Sequence, residues 1–318
     1  MSNEKPSALS VAILRAVLYA DLFDFPIGAA EIQQQLVLQP ATEDQVRAQL
    51  HSCSWLAQRV QASGQLYHLN GRQRLLSRRI SQERATDALI DKHRAVLRTL
   101  KGLPYVRMVA FSGGTSRKNS VNEEDLDLFI ITEKRRVWVV YALMVLVSRA
   151  LGCREALCAN YLVDHENVTV PDGGDLFTGH ELVALVPIEG AHWLQHMKTN
   201  NPWVSTLLPN ATQQGQPDRW RSQVAQPRLR RLAELAFWPC WWTIERLSRW
   251  IFGRRIRSKT LQSSDVLLTQ GMMKLHTNDN RGAIVTRYRD ALIKADLLSS
   301  DIEAVLGRRL RPQNRDAA

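Results

Sequence analysis

Asp125 and Asp127 stand two residues apart in Asp125-Leu-Asp-Leu-Phe-Ile-Ile131, and the apolar residues around them mark a strand. Residues two apart on a strand share a face, so the two carboxylates project together while Leu126 and Leu128 point into a core. Like charges that close repel unless a cation lies between them. A hard divalent ion, held by one or two carboxylates plus substrate phosphates, meets that need. Asp125 and Asp127 are therefore candidate ligands for Mg²⁺ or Mn²⁺. Upstream, the apolar run Val106–Phe111 breaks at Ser112-Gly-Gly-Thr-Ser116, and Arg117 and Lys118 follow. A glycine turn brings backbone N–H groups close to phosphate oxygens, and basic residues beside it add positive charge. The plainer reading is an edge strand ending in an acidic turn with Glu123 and Glu124, where Arg117 and Lys118 are solvated. That reading leaves the glycine pair and both apolar runs as accidents.

The order Gly113-Gly114, polar spacer, Asp125-Leu-Asp127-Leu128 resembles the nucleotidyltransferase superfamily of the DNA polymerase β type. The resemblance implies an α/β (α+β) protein with a small mixed-sheet core. It implies metal-dependent transfer of a nucleoside monophosphate from an NTP to an acceptor hydroxyl. Asp125 and Asp127 would be the catalytic metal ligands, and Ser112, Gly113, Gly114, Thr115, Ser116 and Lys118 would surround the triphosphate. The superfamily often has a third carboxylate on the next strand, where it holds a second metal or acts as a base. Here that strand, Ala156 to Val163, offers Asn160, with Asp164 and Glu166 at or past its end. Asn160 can ligate or orient but cannot take a proton. Three outcomes stay open: Asp164 or Glu166 substitutes, two carboxylates suffice, or catalysis is lost. The last makes a non-catalytic nucleotide-sensing protein, or one that docks on DNA or membrane, the alternative.

These groups need elements to hold them. Ser10 to Phe23, Ala29 to Leu36 and Thr42 to Leu50 read as three helices, the last behind a Thr cap. Ala57–Gln61 and Leu66–Leu69 read as strands around a turn at Gly64. This start, residues 1–78, resembles a winged helix-turn-helix. Its third helix offers Gln45, Arg47, Gln49 and His51 against Glu43 and Asp44, which is meagre for DNA, so a structural or protein-contact role is favoured. Residues 79–212 form the expected core: a long helix Ser81–Leu100, the two strands above, a buried helix Val137–Leu151 and the third strand. A helix begins at Asp175, and His180-Glu181 read as a satisfied pair near its start rather than as ligands. Asn200 to Asn210 reads as a packed helix, and Gln213–Gln216 as a linker to a helical region, 217–318. Similarity to a bacterial family of this layout rests further on Tyr19-Ala-Asp-Leu-Phe-Asp24-Phe-Pro26, Leu157–Asn160, His180-Glu181 and Lys274–Asp279.

The formal charge of +11 favours polyanionic partners, and the polar start Met1–Ser10 has no signal-peptide core. The four cysteines have no zinc spacing, and the run Val137 to Val147 is too short to span a bilayer. A cytoplasmic protein is expected, with a possible peripheral contact at the inner membrane face. That contact would use residues 217–260, which hold eleven basic residues against three acids, and five of the nine tryptophans. Three readings stand there: a hairpin broken at Pro239 that packs on the core, a membrane-surface segment, or a nucleic-acid stacking surface. Gln270 to Asn280 reads as part of a helical region, followed by a helix Arg281–Leu297.

Overall fold

A computed structural model describes residues 5–120, 125–170, 174–211, 217, 220, 227–237, 239–259, 266–275 and 281–306. It is a mixed helix and sheet structure with two separate sheets. Near the N-terminus come α1 (Ala8–Asp21), β1 (Ile27–Gly28), α2 (Ala29–Gln34), α3 (Glu43–Ser52), α4 (Ser54–Ala57), β2 (Val60–Ser63) and β3 (Leu66–Leu69). Ser7 caps α1 by accepting the Ser10 N–H, and Thr42 caps α3 by accepting the Gln45 N–H. Gly64, at φ +64°, turns β2 into β3. Antiparallel pairs give the order β1-β3-β2. The expected strand at Ala57 starts three residues later, because Ser54–Ala57 closes a helical turn instead.

Several of the polar groups that α3 could offer to DNA are engaged within this unit. Gln45 returns a bond to the Thr42 N–H at 2.8 Å, Arg47 pairs with Glu43, and Gln49 donates to Ser10 Oγ at 2.7 Å. The basic run after β3 folds back on acids. Arg72 meets Asp21 at 2.9 Å, Arg78 meets Asp24 at 2.6 Å, and Arg79 meets Glu31 at 3.0 Å and Glu83 at 2.8 Å.

Next come α5 (Leu75–Lys92), α6 (Arg94–Gly102), β4 (Val106–Phe111), α7 (Gly113–Ser116), β5 (Leu126–Thr132), α8 (Val137–Ala150), β6 (Leu157–Asp164), α9 (Leu176–Val183), β7 (Val186–Glu189), α10 (His192–Asn200) and α11 (Trp203–Leu207). The single helix expected over Ser81–Leu100 is two, broken at His93. In the second sheet β4 runs antiparallel to β5, and β5 parallel to β6 through the crossover helix α8. β7 lies at the edge beside β4, where Pro187 removes no needed donor. Alternation sorts the apolar residues. Leu126, Leu128 and Ile130 pack with α6 and α8 on one face, while Phe129 and Ile131 pack with α10 on the other.

The C-terminal region continues with α12 (Pro227–Phe237), α13 (Trp241–Lys259), β8 (Leu267–Leu268), β9 (Met272–Lys274), α14 (Arg281–Lys294) and α15 (Ser300–Leu306). These elements disperse over the molecule. The α13 carboxylate Glu245 accepts the Trp138 N–H at 3.3 Å and the Val139 N–H at 2.9 Å, so one helix caps the start of another. β9 pairs with β6, and β8 with β9, so Met272–Lys274 is strand where a helical region was expected. α14 and α15 complete the N-terminal core. Tyr288, 1 % exposed, packs edge-on to Tyr19 and donates to the Arg15 carbonyl at 3.0 Å. The tryptophans do not share one side: Trp220 is buried, whereas Trp242 and Trp250 are exposed. The linker Gln213–Gln216, Trp238 and the polar cluster His276–Asn280 lie outside the described residues. Among the described residues no helix is long and apolar enough to cross a membrane.

Candidate functional site

β4 delivers the chain to Ser112, and β5 delivers Asp127 directly beside it: the Ser112 N–H donates to the Asp127 carbonyl at 3.0 Å. The chain then turns at Gly113, φ +51°. A Cβ at that position would lie 2.8 Å from Asp127 Oδ2, so glycine is needed for both its backbone freedom and its missing side chain. The Gly114 N–H donates to the same Oδ2 at 3.2 Å. Gly114 does not have the positive φ, but a Cβ there would meet the backbone of Asn119 and Ser120 at 3.0 Å. Turn and carboxylate thus form one packed unit.

The other carboxylate oxygen is held from β6. Asn160 Nδ2 donates to Asp127 Oδ1 at 2.8 Å, and the Cys158 thiol donates to Asn160 Oδ1 at 3.1 Å. The register explains the placement. Leu128 pairs with Ala159 but Phe129 pairs with Tyr161, so Asn160 is the extra residue of a bulge. The bulge keeps Tyr161 on the face of Phe129 and leaves Asn160 aimed at Asp127. Burial, then the charges of Asp127 and Asp125, push the Cys158 thiol up to about 11. Cys158 therefore stays a neutral thiol that donates rather than attacks.

The remaining candidates divide. Ser112 Oγ is buried with no hydrogen-bond partner among the described residues, at the mouth of the turn. Thr115 is buried, and its hydroxyl accepts the Asp127 N–H at 2.9 Å, which ties the turn to β5. Ser116 Oγ returns to the Gly113 carbonyl at 2.9 Å. Lys118, at φ +53°, pairs with Asp87 of α5 at 2.8 Å. Glu123 and Glu124 lie outside the described residues. Asp164 does not join the group. It pairs in register with Thr132, five residues along β5 from Asp127, or roughly 16 Å at strand rise. There its buried carboxylate holds the Arg135, Glu166 and Asn167 amides, so it shapes a turn. Glu166 pairs with Lys134 on the same far side.

Behind the turn, contacts run through α9 to the N-terminal unit. Arg117 pairs with Glu181 at 2.6 Å and donates to the His180 carbonyl at 3.1 Å. His180 stacks on Tyr19 with ring centres 4.2 Å apart, and burial followed by the Arg117 charge pushes it down to about 3. It is a neutral packing group. Asn119 donates to the Phe23 carbonyl at 3.1 Å. The Tyr19–Pro26 and His180-Glu181 motifs thus brace the segment that follows the glycine turn. The signal for this was present in the motifs, but only the fold joins them.

The donor set fits a hard divalent cation. Asp127 accepts from Asn160 and Gly114 and so presents an oriented carboxylate. Asp125 adds a second half-buried carboxylate. Among the described residues no group of three His, Cys, Asp or Glu could hold a metal, so phosphate oxygens would have to complete the shell. No family model, no curated protein and no solved structure matches the chain.

Proposed function

We propose that this protein is a metal-dependent nucleotidyltransferase that moves a nucleoside monophosphate from an NTP to an acceptor hydroxyl with release of pyrophosphate. The supporting observation is the packing of Asp127 against Gly113, with the Gly114 N–H on its carboxylate. It joins a glycine turn to a carboxylate pair. A solvated acidic turn has no need of that arrangement. Asp125 and Asp127 would hold Mg²⁺ or Mn²⁺, which when bound neutralises charge on the phosphoryl oxygens. Asn160 and Gly114 fix the orientation of Asp127, so little reorganisation is left for the reaction. Ser112 Oγ supplies a donor to a phosphate oxygen, and the Arg117–Glu181 pair keeps the loop after the turn in place. The N-terminal unit, which resembles a winged helix, braces this loop in preference to reading DNA.

A second reading is nucleotide binding without transfer. Asn160 favours it, since an amide stands where a third carboxylate would serve as base. One experiment separates the two. The purified protein is incubated with labelled NTPs, Mg²⁺ or Mn²⁺ and fractionated cell extract. Metal-dependent label on an acceptor that disappears in Asp127→Asn supports transfer. Metal-dependent retention of intact NTP with no labelled acceptor supports sensing, and no retention of either kind removes both.

A further inference from the structure

The outer face of α13 carries Trp242, Leu247, Trp250 and Ile251, each between 43 and 59 % exposed. Exposed Arg246, Arg249, Arg254, Arg255 and Arg257 interleave with them. The one acid of this helix, Glu245, is turned inward onto the α8 amides, so the outer face has no negative charge. Leu146 of α8, Leu151 just after it, and Leu232 and Leu235 of α12 are also exposed. A surface of this kind is apolar and strongly basic at once.

Two macromolecular polyanions could meet it, and the details separate them. Arg246 lies over the Trp242 ring at 4.7 Å and Arg254 over the Trp250 ring at 5.4 Å. One face of each indole is thus occupied by a guanidinium. Stacked bases need open ring faces and find nothing in leucine or isoleucine. A lipid interface suits every part: aliphatic side chains enter the acyl boundary, tryptophan edges sit among headgroups, and guanidinium groups pair with lipid phosphates. We propose that α13 lies flat on an anionic phospholipid bilayer, with Trp242 and Trp250 at headgroup depth and the arginines on lipid phosphates. α13 is held to the body by Glu245 and by Phe252, whose ring meets Tyr141 edge-on at 5.4 Å. The protein is therefore carried to the surface with α13 lying on it, and no helix among the described residues is long and apolar enough to cross it.

The test uses the full chain and vesicles of phosphatidylcholine with or without one third phosphatidylglycerol. The wild type should co-sediment with the anionic vesicles alone, with a blue shift of tryptophan emission, and release should rise with salt. Arg246→Gln and Arg254→Gln should each weaken partitioning about fivefold. Trp242→Ser with Trp250→Ser should weaken it further, with an unchanged melting temperature because both side chains are exposed. The proposal is overturned if wild type ignores anionic vesicles, or binds neutral ones equally, or if the variants bind like wild type. It is also overturned if the face proves to hold a second copy, seen as a dimer that the tryptophan substitutions dissociate. Binding of single-stranded RNA that these variants lose, with no vesicle binding, would overturn it in favour of nucleic acid.

Discussion

At the residue scale, the candidate site centres on a carboxylate held in place by an amide on each side. Asp127→Asn keeps the side-chain volume and should remove metal-dependent nucleotide binding without loss of fold; titration calorimetry with NTP and Mg²⁺, beside a thermal melt, checks both. Gly113→Ala forces a side chain into φ +51° and 2.8 Å from Asp127 Oδ2. It should cost about 1–2 kcal/mol in urea unfolding and also displace the carboxylate, so nucleotide affinity falls with stability. Asn160→Asp tests the role of the amide. It places a third carboxylate against Asp127 in place of a donor at 2.8 Å. The variant should be destabilised in chelator and recover with added Mg²⁺, whereas metal-independent melting would argue against a cation site there.

At the element scale, the anchoring of α13 on α8 depends on Glu245. Burial, against the pull of the Val139 and Trp138 amides, pushes this carboxyl up to about 7. A folded-state value above the unfolded one means that the native state holds the proton more tightly. Stability from this group is complete below the unfolded carboxyl range and is lost as pH rises towards 7. Glu245→Gln should therefore melt with less dependence on pH than wild type between pH 5 and 8, a difference on the order of 2–3 kcal/mol. Much at this scale was legible in the sequence. β4, β5, β6 and α8 follow from long apolar runs with clear breaks, and the Thr42 cap follows from its box. Other elements were hidden for physical reasons. β7 is short and contains Pro187, which only an edge position tolerates. β9 has three residues and is stabilised by pairing with β6, a contact distant in sequence. No Gly or Pro marks the break at His93. The glycine turn and the strand that carries Asp127 were readable from types and spacing. The Asn160 bond was not, because it depends on a bulge, and Asp164 stayed an open alternative because proximity in sequence to a strand end says nothing about which end faces the site.

At the scale of the whole molecule, chain order and packing diverge. The last helices close the first core, so Tyr288→Ala should cost roughly 3–5 kcal/mol and be felt as unfolding of α1, which proteolysis near Arg15 would report. α13 and the β8–β9 pair instead belong with the six-stranded sheet. The candidate site lies where these parts meet: glycine turn and carboxylates from the sheet, a bracing pair Arg117–Glu181, and Tyr19 and Phe23 from the N-terminal unit. The most direct measurement is electron paramagnetic resonance of Mn²⁺ titrated into the protein with and without an NTP. Wild type should bind Mn²⁺ tightly only with NTP present, and Asp125→Asn and Asp127→Asn should each lose this signal while their folds persist. Unchanged Mn²⁺–NTP binding in the folded double variant would contradict it.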